Sequence, residues 1–151
     1  MNTWAAIGSG AVGATVLTAV HETARQRWDD APRMDVLGRR AIARSLEYVG
    51  VEPPRGERLQ QTALAGDVVS NSLYYSLVAA GSPEGAVTRG ALLGLAAGVG
   101  AVLLPGPLGL GEKPSNRTRQ TQVATVAWYL LGGLAAGVTY RLLGGRRYQG
   151  K

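Results

Sequence analysis

Gly85–Leu104 reads GAVTRGALLGLAAGVGAVLL, and Val123–Leu143 reads VATVAWYLLGGLAAGVTYRLL. Each stretch carries a single charge, Arg89 in the first and Arg141 in the second. A helix needs about 20 mostly apolar residues to cross the hydrocarbon layer of a bilayer, at ~1.5 Å of rise per residue. Both stretches meet that length, so the bilayer is read as the solvent of this chain. The mean hydropathy of +0.03 hides this, because the charges gather between Glu22 and Arg58 while the apolar residues lie in separate blocks.

Working outward, two more apolar segments appear, over 3–20 and 59–81, to set beside those at 85–104 and 122–143. The expected fold is an all-α membrane protein in one domain of 151 residues. It is a four-helix transmembrane bundle, with one amphipathic interfacial helix between the first and second spans. Ser82-Pro83-Glu84-Gly85 is a tight turn that makes the second and third spans a hairpin. Pro105-Gly106-Pro107 stops the third, since proline has no N–H to continue the helical ladder.

The interfacial helix is read over 34–49. Met34, Leu37, Ala41, Ile42, Leu46 and Val49 fall on one half of a helical wheel, and Arg39, Arg40, Arg44 and Glu47 on the other. Two placements fit: in the plane of the headgroups, or as a cap on the end of the bundle.

Basic residues orient the chain. The loop over 21–58 has eight arginines, and the loop after the third span adds Lys113, Arg117 and Arg119. The other side receives Arg89, Arg141, Arg146, Arg147 and Lys151. The positive-inside rule then places loop 21–58 in the cytoplasm and both termini outside, in a bacterial inner membrane. Arg146 and Arg147 argue the other way. The net charge of +6, concentrated beside apolar blocks, suits anionic lipid headgroups rather than nucleic acid. Trp4, Tyr140 and Tyr148 fall where outer aromatic belts occur, while Trp128 and Tyr129 lie deeper and read as packing residues.

Gly8-Ser9-Gly10-Ala11-Val12-Gly13 is a complete GxGxxG, with Asp29, Asp30 and Asp35 near the spacing of a ribose-binding acid. Alone it resembles the start of a Rossmann fold, which would imply NAD binding. That motif works only on a strand–turn–helix unit, and no strand precedes the acids, so no cofactor is expected. In a bilayer, small residues let helix backbones approach one another closely. Gly10-xxx-Ala14-xxx-Thr18, Gly90-xxx-Gly94-xxx-Gly98 and Gly133-xxx-Gly137 are such ridges. They point to a tight bundle, and to a homo-oligomer or a subunit of a membrane complex.

The polar stripe of the second span is the candidate site. Asp67, Ser70, Asn71 and Tyr74 follow one another at i, i+3, i+4 and i+7, so they share one helix face. A charge at mid-bilayer costs about 2.5–3.5 kcal/mol on insertion scales. The stripe must therefore face protein or water, which makes this the most buried span. Thr15 and the Trp128 indole are its expected partners, Arg89 is expected to reach Asn71 or Tyr74, and His21 sits near the start of the second span. The set Asp67, Ser70, Asn71, Tyr74, Arg89 and His21 then reads either as a polar pocket or ion path, or as hydrogen bonds joining helices.

Other chemistry finds no support. There is no Cys, and His21 is the only histidine, so thiolate and multi-histidine metal sites are excluded. No HExxH, Gly-x-Ser-x-Gly or P-loop appears, and no catalytic residue is assigned. The expected role is structural: assembly or partner binding. A transporter, channel or small-ligand binder using the stripe is the alternative, and an intramembrane enzyme the least supported.

Overall fold

The structure, a computed structural model, describes residues 2–145. Arg146, Arg147, Tyr148 and Lys151, which entered the reading of charge and aromatic belts, lie outside the described residues. The helices are α1 (Thr3–Arg25), α2 (Met34–Tyr48), α3 (Gly56–Ser76), α4 (Ala86–Leu103), α5 (Lys113–Asn116) and α6 (Arg119–Gly145). Single 3₁₀ turns at Leu77–Ala79 and Pro83–Gly85 lie between α3 and α4.

No strand occurs among the described residues, and Gly8–Gly13 lies inside α1. This overturns the dinucleotide-binding alternative, because the glycines have no strand–turn–helix unit to bend around a pyrophosphate. Asn2 starts α1 instead, its Oδ1 accepting from the Ala5 N–H at 3.4 Å. The Ser9 hydroxyl is buried and donates to the Ala6 carbonyl at 2.8 Å, which satisfies it within the helix.

Three helices are long and apolar enough to cross a membrane: Thr3–Arg25, Pro83–Leu103 and Arg119–Gly144. That is consistent with an integral membrane protein. α3 is not among them: its first turns are polar (Glu57, Arg58, Gln60, Gln61, Thr62), and Asp67, Ser70, Asn71 and Ser72 follow within it.

α6 packs on both α4 and α1, and α1 packs on α3, so the neighbours run α3–α1–α6–α4. The expected close hairpin of the second and third spans is therefore corrected. α3 and α4 are joined by a short connection but touch little, and each has its main partner elsewhere. The reason lies in where backbones can approach. Gly90, Gly94 and Gly98 are buried against α6, where a Cβ on Gly90 would strike the Gly133 carbonyl and one on Gly94 would lie 2.6 Å from the Tyr129 oxygen. Gly133 and Gly137 answer from α6, facing the carbonyls of Gly90 and Ala86. On the other side Gly10 sits against the Ser72 carbonyl of α3, and a Cβ on Gly13 would lie 2.7 Å from the Gly132 oxygen of α6. Ala14 is fully buried on the same ridge.

The core is small and lies where α1, α3 and α6 meet: Leu17, Tyr75, Val78 and Ala136, with Ala86 of α4. Tyr140, expected at an outer belt, is buried in this core, whereas Trp4 is 83% exposed. α3 was expected to be the most buried span, yet only Ala63 and Tyr75 are buried in it. α1 and α6 occupy the centre because their small residues permit the closer approach.

α2 forms as expected and caps one end of the bundle. Leu37 is its one buried residue, and Ile42 packs against Gly66 of α3. Its arginines turn to protein. Arg40 Nη1 donates to the Leu110 carbonyl at 2.6 Å, and Arg44 Nη1 to the Gly109 carbonyl at 2.8 Å. Gly109 has φ +69°, a left-handed backbone that favours glycine and turns its carbonyl region toward Arg44. Before α2, the Arg33 amide donates to the Pro114 carbonyl at 2.8 Å, and Arg117 pairs with Asp30 at 2.5 Å. The loops at this end thus form one hydrogen-bonded layer.

Candidate functional site

Asp67 stands in the middle of α3, one turn from Asn71, and the pair is held within the helix. Asn71 Nδ2 donates to Asp67 Oδ1 at 2.9 Å and to the Asp67 carbonyl at 2.9 Å. No cation pairs with Asp67 among the described residues. One turn further, Tyr74 donates its hydroxyl to the Leu93 carbonyl of α4 at 3.0 Å, a direct bond across the α3–α4 gap. Asp67, Asn71 and Tyr74 therefore face the bundle. Ser70 does not: it is exposed, and its hydroxyl turns back to the Asp67 carbonyl at 3.1 Å.

His21 comes to this site from α1. Its ring is 7% exposed and packs edge-on to Trp128 at 5.2 Å and to Tyr129 at 5.7 Å. Nε2 has no hydrogen-bond partner, nor has the nearby buried Thr18 Oγ1. Both residues line a chamber of about 60 Å³ together with Glu22, Asp35, Gln60 and Asp67. Two of the three carboxylates are neutralised. Glu22 pairs with Arg25 at 2.5 Å, and Asp35 with Arg33 at 2.9 Å and Arg39 at 3.4 Å. The bond from Arg33, partly offset by burial, holds the Asp35 carboxyl below its usual range.

Beside the chamber lies a larger groove of about 470 Å³ between α3 and α4, lined by Ala97 and Ala101 of α4 and by Tyr74 and Tyr129. α2 and the Pro105–Leu110 loop close it at one end. Asp67, Met34 and Gly38 line both spaces. The lining is apolar except for Asp67 and the Tyr hydroxyls, of which Tyr74 is already bonded. The groove exists because α3 and α4 belong to different pairings, one with α1 and one with α6.

Arg89 is not part of this site. Its Nε and Nη2 donate to the Val78 carbonyl at 2.9 and 2.8 Å, and Nη2 also to the Ser82 carbonyl at 2.6 Å. It satisfies the free carbonyls beyond the end of α3, at the opposite end of the bundle from α2. Thr15, expected beside Asp67, is exposed and bonded to the Ala11 carbonyl at 2.8 Å. Trp128 meets His21 rather than Asp67. Thr18, Gln60 and Asp35 are residues that sequence reasoning missed. The i+3 step from Thr18 to His21 was visible, but nothing in sequence placed α2, and hence Asp35, over it.

Among the described residues no group of three or more His, Asp or Glu is arranged to hold a metal ion. The chain matches no protein-family model, and no curated protein or solved structure shows significant similarity to it.

Proposed function

We propose that this is an integral membrane protein that holds a chain-bearing small molecule, taken from the bilayer, in the groove between α3 and α4. The observation that carries the reading is the groove itself. It is about 470 Å³, apolar along its walls, and its single ionisable group outside the tyrosines is the cation-free Asp67. Ligand sites of this size are mostly apolar with a few placed polar groups.

In this reading α3 is a fourth span. Its 21 residues measure ~30 Å, enough to cross beside α1. Leu64, Val69 and Leu73 along it, and Leu77 just beyond its end, are exposed and suit lipid. Its serines satisfy themselves within the helix, Ser72 on the Val68 carbonyl at 2.6 Å and Ser76 on the Leu73 carbonyl at 2.6 Å. Small-residue packing of the GxxxG kind at Gly90, Gly94, Gly98, Gly133 and Gly137 then ties α4 to α6. Exposed Arg27, Arg58 and Arg119 at the α2 end favour a cytoplasmic position beside anionic headgroups.

Native mass spectrometry of protein released from membranes tests the reading. Wild type retains a chain-bearing adduct and Ala97→Trp, which fills the groove, loses it. Equal retention by both would refute it.

One observation favours a second reading, assembly of copies or subunits. The ridge Ala11-xxx-Thr15-xxx-Ala19 on α1 is exposed, unlike the buried ridge through Gly10 and Ala14. In lipid such a small-residue face suits a second helix. Because the chain has no cysteine, oxidation of Thr15→Cys in membranes gives a disulfide-linked dimer if two copies pair there, and none if they do not.

A further inference from the structure

We infer, on the reading of the groove as a ligand site, that a neutral chain enters it together with one proton, which the Asp67 carboxylate takes up. Binding then tightens as pH falls. Met34, Leu37 and Ala41 of α2 and Ala97 and Ala101 of α4 line the groove, with Asp67 among them. Asp67 is half-buried, and the Asn71 amide that donates to its Oδ1 at 2.9 Å brings no charge. A chain in the groove replaces water beside Asp67 with hydrocarbon. Losing water disfavours a carboxylate far more than a neutral carboxylic acid. A proton on Asp67 therefore lowers the cost of filling the groove. By reciprocity the chain strengthens proton binding at Asp67 by the same factor.

The charged groups around Asp67 leave it as the one that takes the proton. On α1, Glu22 pairs with Arg25, whose buried Nε has no acceptor and so makes no bond to Asp67. On α2, Asp35 pairs with Arg33 and Arg39, while Arg40 and Arg44 donate to loop carbonyls. Both of these carboxylates thus have a cation, which holds them ionised. On α3 itself, Arg58 is exposed and ~13 Å of helix rise away. The groove residues of α4 do not titrate, and phenols such as Tyr74 and Tyr129 keep their protons to about pH 10. His21 of α1 is the remaining competitor. It is 7% exposed, and its Nε2 faces no hydrogen-bond partner, so a proton there would leave a buried N–H unsatisfied.

Hexadecanol is a suitable probe because it does not titrate itself. Its binding to the full chain in phosphatidylcholine nanodiscs is measured across a range of pH, with empty discs subtracted. Wild-type affinity is expected to rise as pH falls, by up to about tenfold per pH unit, the limit for one linked proton. Asp67→Asn, neutral at every pH, is expected to bind throughout as wild type does in acid. A wild-type affinity independent of pH would overturn the proton linkage and leave the groove reading intact. So would a pH dependence kept by Asp67→Asn, since the proton would then go to His21 or another group. Should that variant fail to fold, infrared difference spectra of wild type labelled with ¹³C-aspartate decide the matter. Hexadecanol is expected to convert an aspartyl carboxylate band into a carboxylic acid band, and unchanged bands would overturn the linkage. If no hexadecanol is retained at any pH and Ala97→Trp behaves as wild type, the groove reading itself fails, and this one with it.

Discussion

Tyr75 donates its hydroxyl to the Tyr129 carbonyl at 2.7 Å, and both side chains are buried where α3 meets α6 across α1. Among the described residues it is the one buried side-chain bond linking α3 to the central helices. Tyr75→Phe keeps the ring and removes the bond, and the expected loss is about 0.5–1.5 kcal/mol. Tyr75→Ala also leaves a cavity beside Leu17 and Val78, with an expected loss of about 3–5 kcal/mol. Unfolding in mixed micelles with increasing dodecyl sulfate measures both. A phenylalanine variant as damaged as the alanine one would show that the bond, not the ring, dominates.

The α4–α6 contact leaves no space for added atoms. Gly90→Leu must push α4 away from the Gly133 carbonyl, at an expected cost of about 1–3 kcal/mol or more. Gly8 is the control, since a Cβ there meets nothing within 4 Å. Gly8→Ala is expected to unfold at the same denaturant fraction as wild type. If both variants match wild type, the two helices do not pack as described.

Arg40 and Arg44 hold the loop that closes the groove. In Arg40→Ala/Arg44→Ala the Gly109 and Leu110 carbonyls lose their donors, and the loop around them is expected to open more often. Hydrogen exchange at the amides of Leu108–Leu110 should speed up while exchange within α4 stays unchanged. Uniform rates across the loop would mean that the arginines contribute nothing to its closure.

Asp35 gives the α2 end an acid limb. Its carboxyl titrates below the usual 3.8 in the folded chain, chiefly through the Arg33 hydrogen bond. The unfolded chain therefore takes up this proton first. The stabilisation is full above that usual value and is lost as pH falls through the lower folded one. Asp35→Asn should flatten this part of the acid limb below pH 3.8, measured as helix content against pH, and a limb unchanged by the substitution would assign it to other carboxylates.

Single cysteines in this cysteine-free chain decide the number of spans. If α3 crosses, Gly50→Cys and Pro107→Cys react with a membrane-impermeant maleimide from one side and Ser82→Cys from the other. If α3 stays on one side, Gly50→Cys and Ser82→Cys react together and Pro107→Cys opposite.

The helices at 3–25, 86–103 and 119–145 were legible because length and apolar composition are local properties that no tertiary contact has to supply. The amphipathic 34–48 helix was legible for the same reason, through its periodicity. The polar stripe at Asp67, Asn71 and Tyr74 could be read as one inward face, though Ser70 at its edge looks outward. Arg89 was misplaced because a long side chain binds whatever carbonyls are free near its own helix end. Here those were Val78 and Ser82, not the stripe. Tyr140 was assigned to a belt from its position along the chain, and tertiary packing put it in the core.

By itself the sequence determined that most of this chain is helical and that at least two stretches match a bilayer in length; it also suggested a fourth span at 59–81, while the helices long and apolar enough to cross number three among the described residues. Which helices pair was decided only in three dimensions. Several glycine ridges could have met one another equally well by composition, and the choice depends on the faces they present once all helices are packed. That choice put α4 on α6 and α3 on α1, parted α3 from α4, and brought His21, Thr18 and Asp67, up to 49 positions apart, to the wall of one chamber.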